Sequence, residues 1–317
     1  MQSADNTFTL PSLLETYRKH RILRPATLKC YANAVGSILR YAQATNEILE
    51  TIDQISVRFL LEWRSWVLSN CSGTTFNMHR RHIRALFNFA VNEGVITKSP
   101  LLKVSPAPTG KKRPKTVPVN WLRKTRQLLD EDNARLEPSW FWRCVFDTMY
   151  FGMMRRRQIV ELRWRDVHFR NSSITLSTEG SKSRKEWSIP LPKSVTQQLA
   201  QLKEKTRLER CRDVSLEDQV FCWPLFAKNK ARIKKSQMTE EHLSSQFRKL
   251  SSLLGYTISS HRVRHTSASV MLARSTDLKG TSDMLGHSSI ALTADTYIHP
   301  SLSALRKTQK KLPFYAD

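Results

Sequence analysis

The sequence lacks paired cysteines: Cys30, Cys71, Cys144, Cys211 and Cys222 are scattered, odd in number and never form a C-x-x-C pair. That argues against a disulfide framework and a zinc site, and it fits a reducing cytosol. The amino terminus, MQSADNTFTL, has no basic region followed by an apolar run, so no export signal is expected. Long hydrophobic runs are missing too. The most apolar stretch, Trp140 to Met154, is interrupted by Arg143 and Asp147, and no membrane span is predicted. No internal repeat or low-complexity tract stands out. Acidic residues are scarce, with 27 Asp and Glu against 52 Lys and Arg, giving a formal net charge of +25 and a pI near 10.3. Such an excess repels itself unless an anionic partner meets it, and nucleic acid is the first candidate because each neutralised phosphate releases counterions. With 317 residues and 40% hydrophobic content, the chain can bury a sizeable core.

What is present reads as mainly α with a small β-hairpin or sheet. Residues 7–98 are helical in pattern. A short segment spans Leu10 to His20. Leu28, Tyr31, Val35, Ile38, Leu39 and Ala42 then recur at steps of three and four behind Pro25, with Thr27 as a cap. A segment from Ser56 repeats Phe59, Leu60, Trp63 and Val67, and another runs from Thr74 to Asn92, ending before Gly94. Together they predict a four-helix domain over 1–102. The stretch KSPLLKVSPAPTGKKRPKTVP, with five prolines, five lysines and one arginine, cannot hold a helix and reads as an extended basic linker over 103–118. The second domain, 119–317, mixes elements: helical patterns at 121–130 and 139–163, strands at Ile174 to Ser177 and Trp187 to Leu191, and helices from Lys193 to Arg210 and Thr239 to Leu254.

Four strings carry candidate chemistry: GMMRRRQIVELRWRDV at 152–167, HRVRH at 261–265, LGHSS at 285–289 and TADTYIHP at 293–300. Each alone is a common pattern, and an arginine run is ordinarily a solvated helix face. Their order is not common. An arginine precedes L-R-W-x-D, H-x-x-R follows about 100 residues later, and a tyrosine stands ten residues beyond the histidine of L-G-H. In this the chain resembles the tyrosine recombinases of the phage-integrase family, over essentially its whole length.

The resemblance implies an amino-terminal core-binding, SAM-like helical domain followed by an α+β catalytic domain. It implies a site-specific DNA recombinase that cleaves and rejoins strands through a 3′-phosphotyrosine and a Holliday junction. Carried over motif by motif, the catalytic residues are Arg155, His261, Arg264, His287 and Tyr297, with Arg156 and Arg157 as neighbours that could shift the register. Guanidinium groups donate paired hydrogen bonds to phosphate oxygens and stabilise the charge of a pentacoordinate transition state. The resemblance implies Tyr297 as the nucleophile, with Tyr315 as fallback, and the family's pattern suggests His261 as its base. In the family a β-hairpin lysine protonates the leaving 5′ oxygen, and the resemblance places it in LSTEGSKSRKEWSIPL here; Lys182 is the first choice and Lys185 the second, with Glu179 near the usual lysine position. The chain departs from the family at Met153, where glycine is usual, and at Gln158, where glutamate is usual. In the mechanism the resemblance implies, the phosphotyrosine conserves the bond energy, so no ATP is implied, and no metal need bind the phosphate if the arginines neutralise it.

Further expectations concern partners. Arg80, Arg81 and Arg84 on one helix, and Lys111, Lys112, Arg113 and Lys115 in the linker, are candidates for DNA backbone contacts that let the two domains clamp a duplex. Leu302, Leu305, Leu312 and Phe314 in the tail are candidates for docking on a neighbouring subunit. The expected partners are a double-stranded recombination site, a homo-tetramer on DNA and accessory bending or directionality factors, in a cytoplasmic, nucleoid-associated setting with no membrane. A type IB topoisomerase or a hairpin telomere resolvase would use the same chemistry. A non-catalytic DNA-binding protein would explain the charge but has no need of the five site residues together.

Overall fold

A computed structural model of the chain describes residues 8–110, 113–131, 136–176, 186–229, 235–298, 306 and 309–312. The chain divides into two compact units, Met1–Lys111 and Lys112–Asp317.

In the first unit, α1 (Leu10–His20) starts at Thr9, whose hydroxyl accepts from the Ser12 N–H at 3.1 Å, and it buries Leu10, Leu13 and Leu14. Helix α2 (Pro25–Ala44) opens with Pro25 at its first turn behind an extended Arg24, so Thr27 lies inside the helix and does not cap it. Tyr31, Ala34, Val35, Ile38, Tyr41 and Ala42 form its buried stripe. Helix α3 (Val57–Asn70) is capped by Ser56 and buries the four residues whose spacing predicted it. Helix α4 (Gly73–Asn92) begins one residue before the expected Thr74, behind Ser72, and Gly94 follows it with a φ of 71°. Trp63 is fully buried against Phe76 and donates its indole N–H to Ser37 at 3.2 Å. Leu101, Val104 and Ala107 also belong to this core, and Ala107 exchanges two hydrogen bonds with the Asn77 side chain, at 2.8 and 2.9 Å.

In the second unit Val117 is buried, and its N–H donates to the Thr266 hydroxyl at 2.7 Å. The elements are α5 (Val119–Asp130), α6 (Ser139–Gly152), α7 (Arg156–Glu161), β1 (Val167–His168), β2 (Ser173–Leu176), β3 (Trp187–Pro190), α8 (Lys193–Arg210), α9 (Trp223–Phe226), α10 (Glu240–Leu254), α11 (Ser260–Ser275), α12 (Leu278–Leu285) and α13 (Ile290–Tyr297). The strands form an antiparallel sheet of order β1-β2-β3, with Ile174 opposite Ile189, both facing the core. The hairpin β2–β3 is legible in the sequence; the two-residue strand β1 that precedes it is not. The stretch 139–163 is two helices, because Met153 adopts a left-handed φ of 47° and breaks the run. Asp147, buried in α6, is held by Arg126, Arg143 and Gln198 at 3.2, 2.9 and 3.0 Å, which satisfies a carboxylate that would otherwise be costly inside the core. Among the described residues no helix is long and apolar enough to cross a membrane.

Candidate active site

The site forms where α6, α11, α12 and α13 end or begin. The break at Met153 turns the chain so that Arg155 stands in extended conformation at the N-cap of α7. Its N–H donates to the Gln158 side chain at 2.7 Å, so the residue replacing the family's glutamate caps the helix and leaves the guanidinium free of it. Arg156 pairs with Glu240 at 2.6 Å and Arg157 with Glu161 at 2.5 Å, both at the surface. Arg155 is half-buried with no carboxylate partner among the described residues, which selects it from the three as the arginine of the site.

Helix α11 carries His261, Arg264 and His265, which share one face at steps of three and four. Arg264 is buried, at 4% exposure, yet charged, a situation tolerable only with strong acceptors. It has them: its guanidinium donates to the Met153 carbonyl and, at 2.8 Å, to the Leu285 carbonyl. Burial and the nearby Arg155 pull its pKa down to about 9, which still leaves it a cation at neutral pH.

Helix α12 stops at Gly286, left-handed at φ 58°, and His287 follows. The His287 ring is tied through Nδ1 to the buried Thr293 hydroxyl at 2.8 Å. Tyr297 is the last residue of α13, and its hydroxyl lies 2.7 Å from His265 Nδ1. Burial raises the phenol's pKa, while Arg264 and Arg155 oppose the rise without cancelling it. The histidines move the other way. Desolvation, then Arg264, Arg155 and Arg156, lower His261; desolvation, then His261 and Arg264, lower His265 to about 4; desolvation, then Arg264, Arg155 and His265, lower His287 to about 4. At neutral pH the site therefore holds two guanidinium cations, neutral imidazoles and an un-ionised phenol. Beside it opens a cleft of about 850 Å³ lined by Arg155, Arg156, His261, Ser244, Phe247 and Arg248.

The five expected residues thus fall in one place. His265, which the sequence reading passed over, joins them; its signal was the four-residue step from His261, decisive once HRVRH is placed on a helix. Lys182, Lys185 and Glu179 lie outside the described residues, as do Lys111, Lys112, Leu302, Leu305, Phe314 and Tyr315. Arg81, Arg84, Arg113 and Lys115 are exposed, whereas Arg80 is half-buried and donates to the Val104 carbonyl at 2.6 Å.

A family model described as the phage integrase family matches residues 123–303, and a phage integrase SAM-like domain matches residues 11–105. The chain belongs to the phage integrase family. Within that family it is similar to a putative tyrosine recombinase XerC of Pseudomonas syringae, 28% identical over 316 residues, covering 96% of this chain and 64% of the relative. The chain therefore spans about two thirds of that relative's length. Among solved integrase structures, the Tn1549 transposon integrase in complex with a circular intermediate DNA superimposes with a TM-score of 0.73 at 16% identity, covering 96% of this chain and all of that one. A lambda integrase tetramer bound to a Holliday junction gives 0.67 at 19% identity, covering 94% of this chain and 80% of that one. These likenesses establish the integrase fold in both units.

Proposed function

We propose that the chain is a site-specific DNA recombinase in which Tyr297 attacks a scissile phosphate, leaving a 3′-phosphotyrosine and a free 5′ hydroxyl. The observation that carries this reading is the phenol of Tyr297 hydrogen-bonded to an imidazole in the electrostatic field of two arginines, one buried and one half-buried. Arg155 and Arg264 bind the non-bridging oxygens and oppose the charge that builds up as phosphorus becomes pentacoordinate. His261, on the cleft wall, and His287 add donors. Lys182, or Lys185 in its place, gives a proton to the departing 5′ oxygen. The family membership and the lambda integrase tetramer on a Holliday junction support strand exchange by a homo-tetramer on a double-stranded site; accessory bending or directionality factors are proposed alongside it. Residues 1–111 form the core-binding domain and 112–317 the catalytic domain, in a cytoplasmic, DNA-associated protein; of the segment 103–118 expected as a linker, Val104 and Ala107 pack in the first unit's core and Val117 is buried in the second.

The test uses Tyr297→Phe protein to select duplexes from a randomised pool, since it binds without cutting. Nicked versions of the selected duplex are then offered to wild type. Wild type is expected to leave a denaturant-resistant protein–DNA band and Tyr297→Phe none. A band of equal strength from the phenylalanine variant would sink the assignment of the nucleophile. Two intact sites on one circle distinguish recombination, which yields exchanged products, from simple relaxation by a topoisomerase.

A further inference from the structure

We propose that His265 is the catalytic base of the cleavage step, taking the phenolic proton of Tyr297 on its Nδ1 and returning it when the strand is rejoined. The inference rests on reading Tyr297 as the nucleophile. Its ground is geometric: the 2.7 Å separation lies within the reach a general base requires. The neighbouring imidazole, His261, meets His265 edge to face with ring centroids 5.2 Å apart and stands exposed on the cleft wall beside Arg155 and Arg156. That places His261 where a phosphate oxygen would arrive, and His265 on the oxygen that must lose its proton.

The groups around His265 explain why the proton stays on the tyrosine until DNA is bound. On its own helix stand His261 and Arg264; from α13 comes Tyr297; His287 follows α12, and Arg155 caps α7. Burial, then His261 and the Arg264 guanidinium, hold the ring neutral, so its lone pair is available, but they also make it a weak base. A phosphodiester seated on Arg264 offsets its charge and strengthens that base. Transfer is thus coupled to substrate binding. In the balanced step the Tyr297 oxygen bonds to phosphorus and its proton passes to His265 Nδ1. The P–O5′ bond breaks with its electron pair on O5′, which takes a proton from the hairpin lysine proposed above. Rejoining runs the same transfers backwards.

The experiment compares full-length wild type with His265→Asn, whose amide can accept the hydrogen bond but cannot take the proton, on the nicked duplex selected above. A second duplex carries sulfur in place of O5′, a leaving group that needs no protonation, so only the nucleophile's activation is read. His265→Asn is expected to bind both duplexes as wild type does and to form the covalent band about 100-fold more slowly on both. Its rate should climb about tenfold per pH unit from pH 7 to 9, as hydroxide replaces the missing base. A variant within about threefold of wild type on the sulfur duplex overturns the proposal, and so does a slow variant whose rate ignores pH. If His265→Asn fails to bind the duplex, His265→Gly with added imidazole decides instead: rescue in proportion to imidazole supports the base, and no rescue overturns it. Tyr297→Phe is run alongside. A band from that variant indicts the nucleophile; its silence beside a fast His265→Asn indicts His265 alone.

Discussion

Imidazoles kept neutral beside two guanidinium groups fix how pH acts on the folded chain. His265 and His287 titrate near 4 when folded, against roughly 6.5 when unfolded, so between those values the unfolded chain binds more protons. The sign follows: stability is fully present above about pH 6.5 and is lost as pH falls toward 4. His261, His79 and His242 are lowered too, chiefly by burial, and add to the same slope. Urea melts at pH 7.5, 5.5 and 4.5 should show a falling midpoint, and the double variant His265→Asn, His287→Asn should fall less steeply between 6.5 and 4. Parallel curves for variant and wild type would mean that these two rings are not the acid-sensitive ones. The motifs placed Arg155, His261, Arg264, His287 and Tyr297 in one site because their chemistry depends on residue type and order. The partner of the phenol was hidden because it depends on which face of α11 meets α13, and only the packing of the two helices decides that.

Helix ends, rather than helix interiors, build this site. Arg264 accepts the task of capping two of them at once, donating to the carbonyl of Met153 after α6 and to that of Leu285 at the end of α12, where the helix dipoles favour a cation. Both ends pass through a left-handed residue, Met153 at φ 47° and Gly286 at φ 58°. The glycine is required by contact as well as by backbone, since a Cβ there would lie 2.3 Å from the Trp187 ring of β3. Gly286→Ala should therefore cost more than the roughly 1–2 kcal/mol of left-handed strain alone and should displace His287, lowering covalent-band formation. Met153→Gly would relieve a similar strain but empty a buried site, where losing a methionine side chain costs about 2–5 kcal/mol, so a net destabilisation of about 1–3 kcal/mol is expected in urea melts. A neutral Gly286→Ala, or a Met153→Gly more stable than wild type, would contradict this account of the two caps. Helix stripes and the hairpin were readable from periodicity. The break at Met153 was not, because methionine carries no local signal for a left-handed turn and its conformation is imposed by Arg264 and the surrounding core.

Across the whole molecule the net charge of +25 predicts binding that weakens steeply with salt, since each neutralised phosphate contributes about −0.9 to the slope of log K against log salt. Individual basic residues need not contribute equally, and α4 supplies a contrast within one helix. Arg81 and Arg84 are exposed, while Arg80 spends its Nε–H on the Val104 carbonyl, tying the chain after α4 to the helix. If the exposed pair meets phosphates, Arg81→Gln with Arg84→Gln should flatten the slope by about 1.8, twice the single-contact value, and weaken binding equally on all duplexes. Arg80→Gln should leave the slope unchanged and instead lower stability by roughly 1 kcal/mol, the order expected for one hydrogen bond. Titrations of each variant between 50 and 200 mM salt, paired with urea melts, separate the two effects. Because charge alone cannot tell a phosphate contact from an internal tether, equal slopes for the double variant and wild type would remove this helix from the DNA-binding surface and assign Arg81 and Arg84 to solvent.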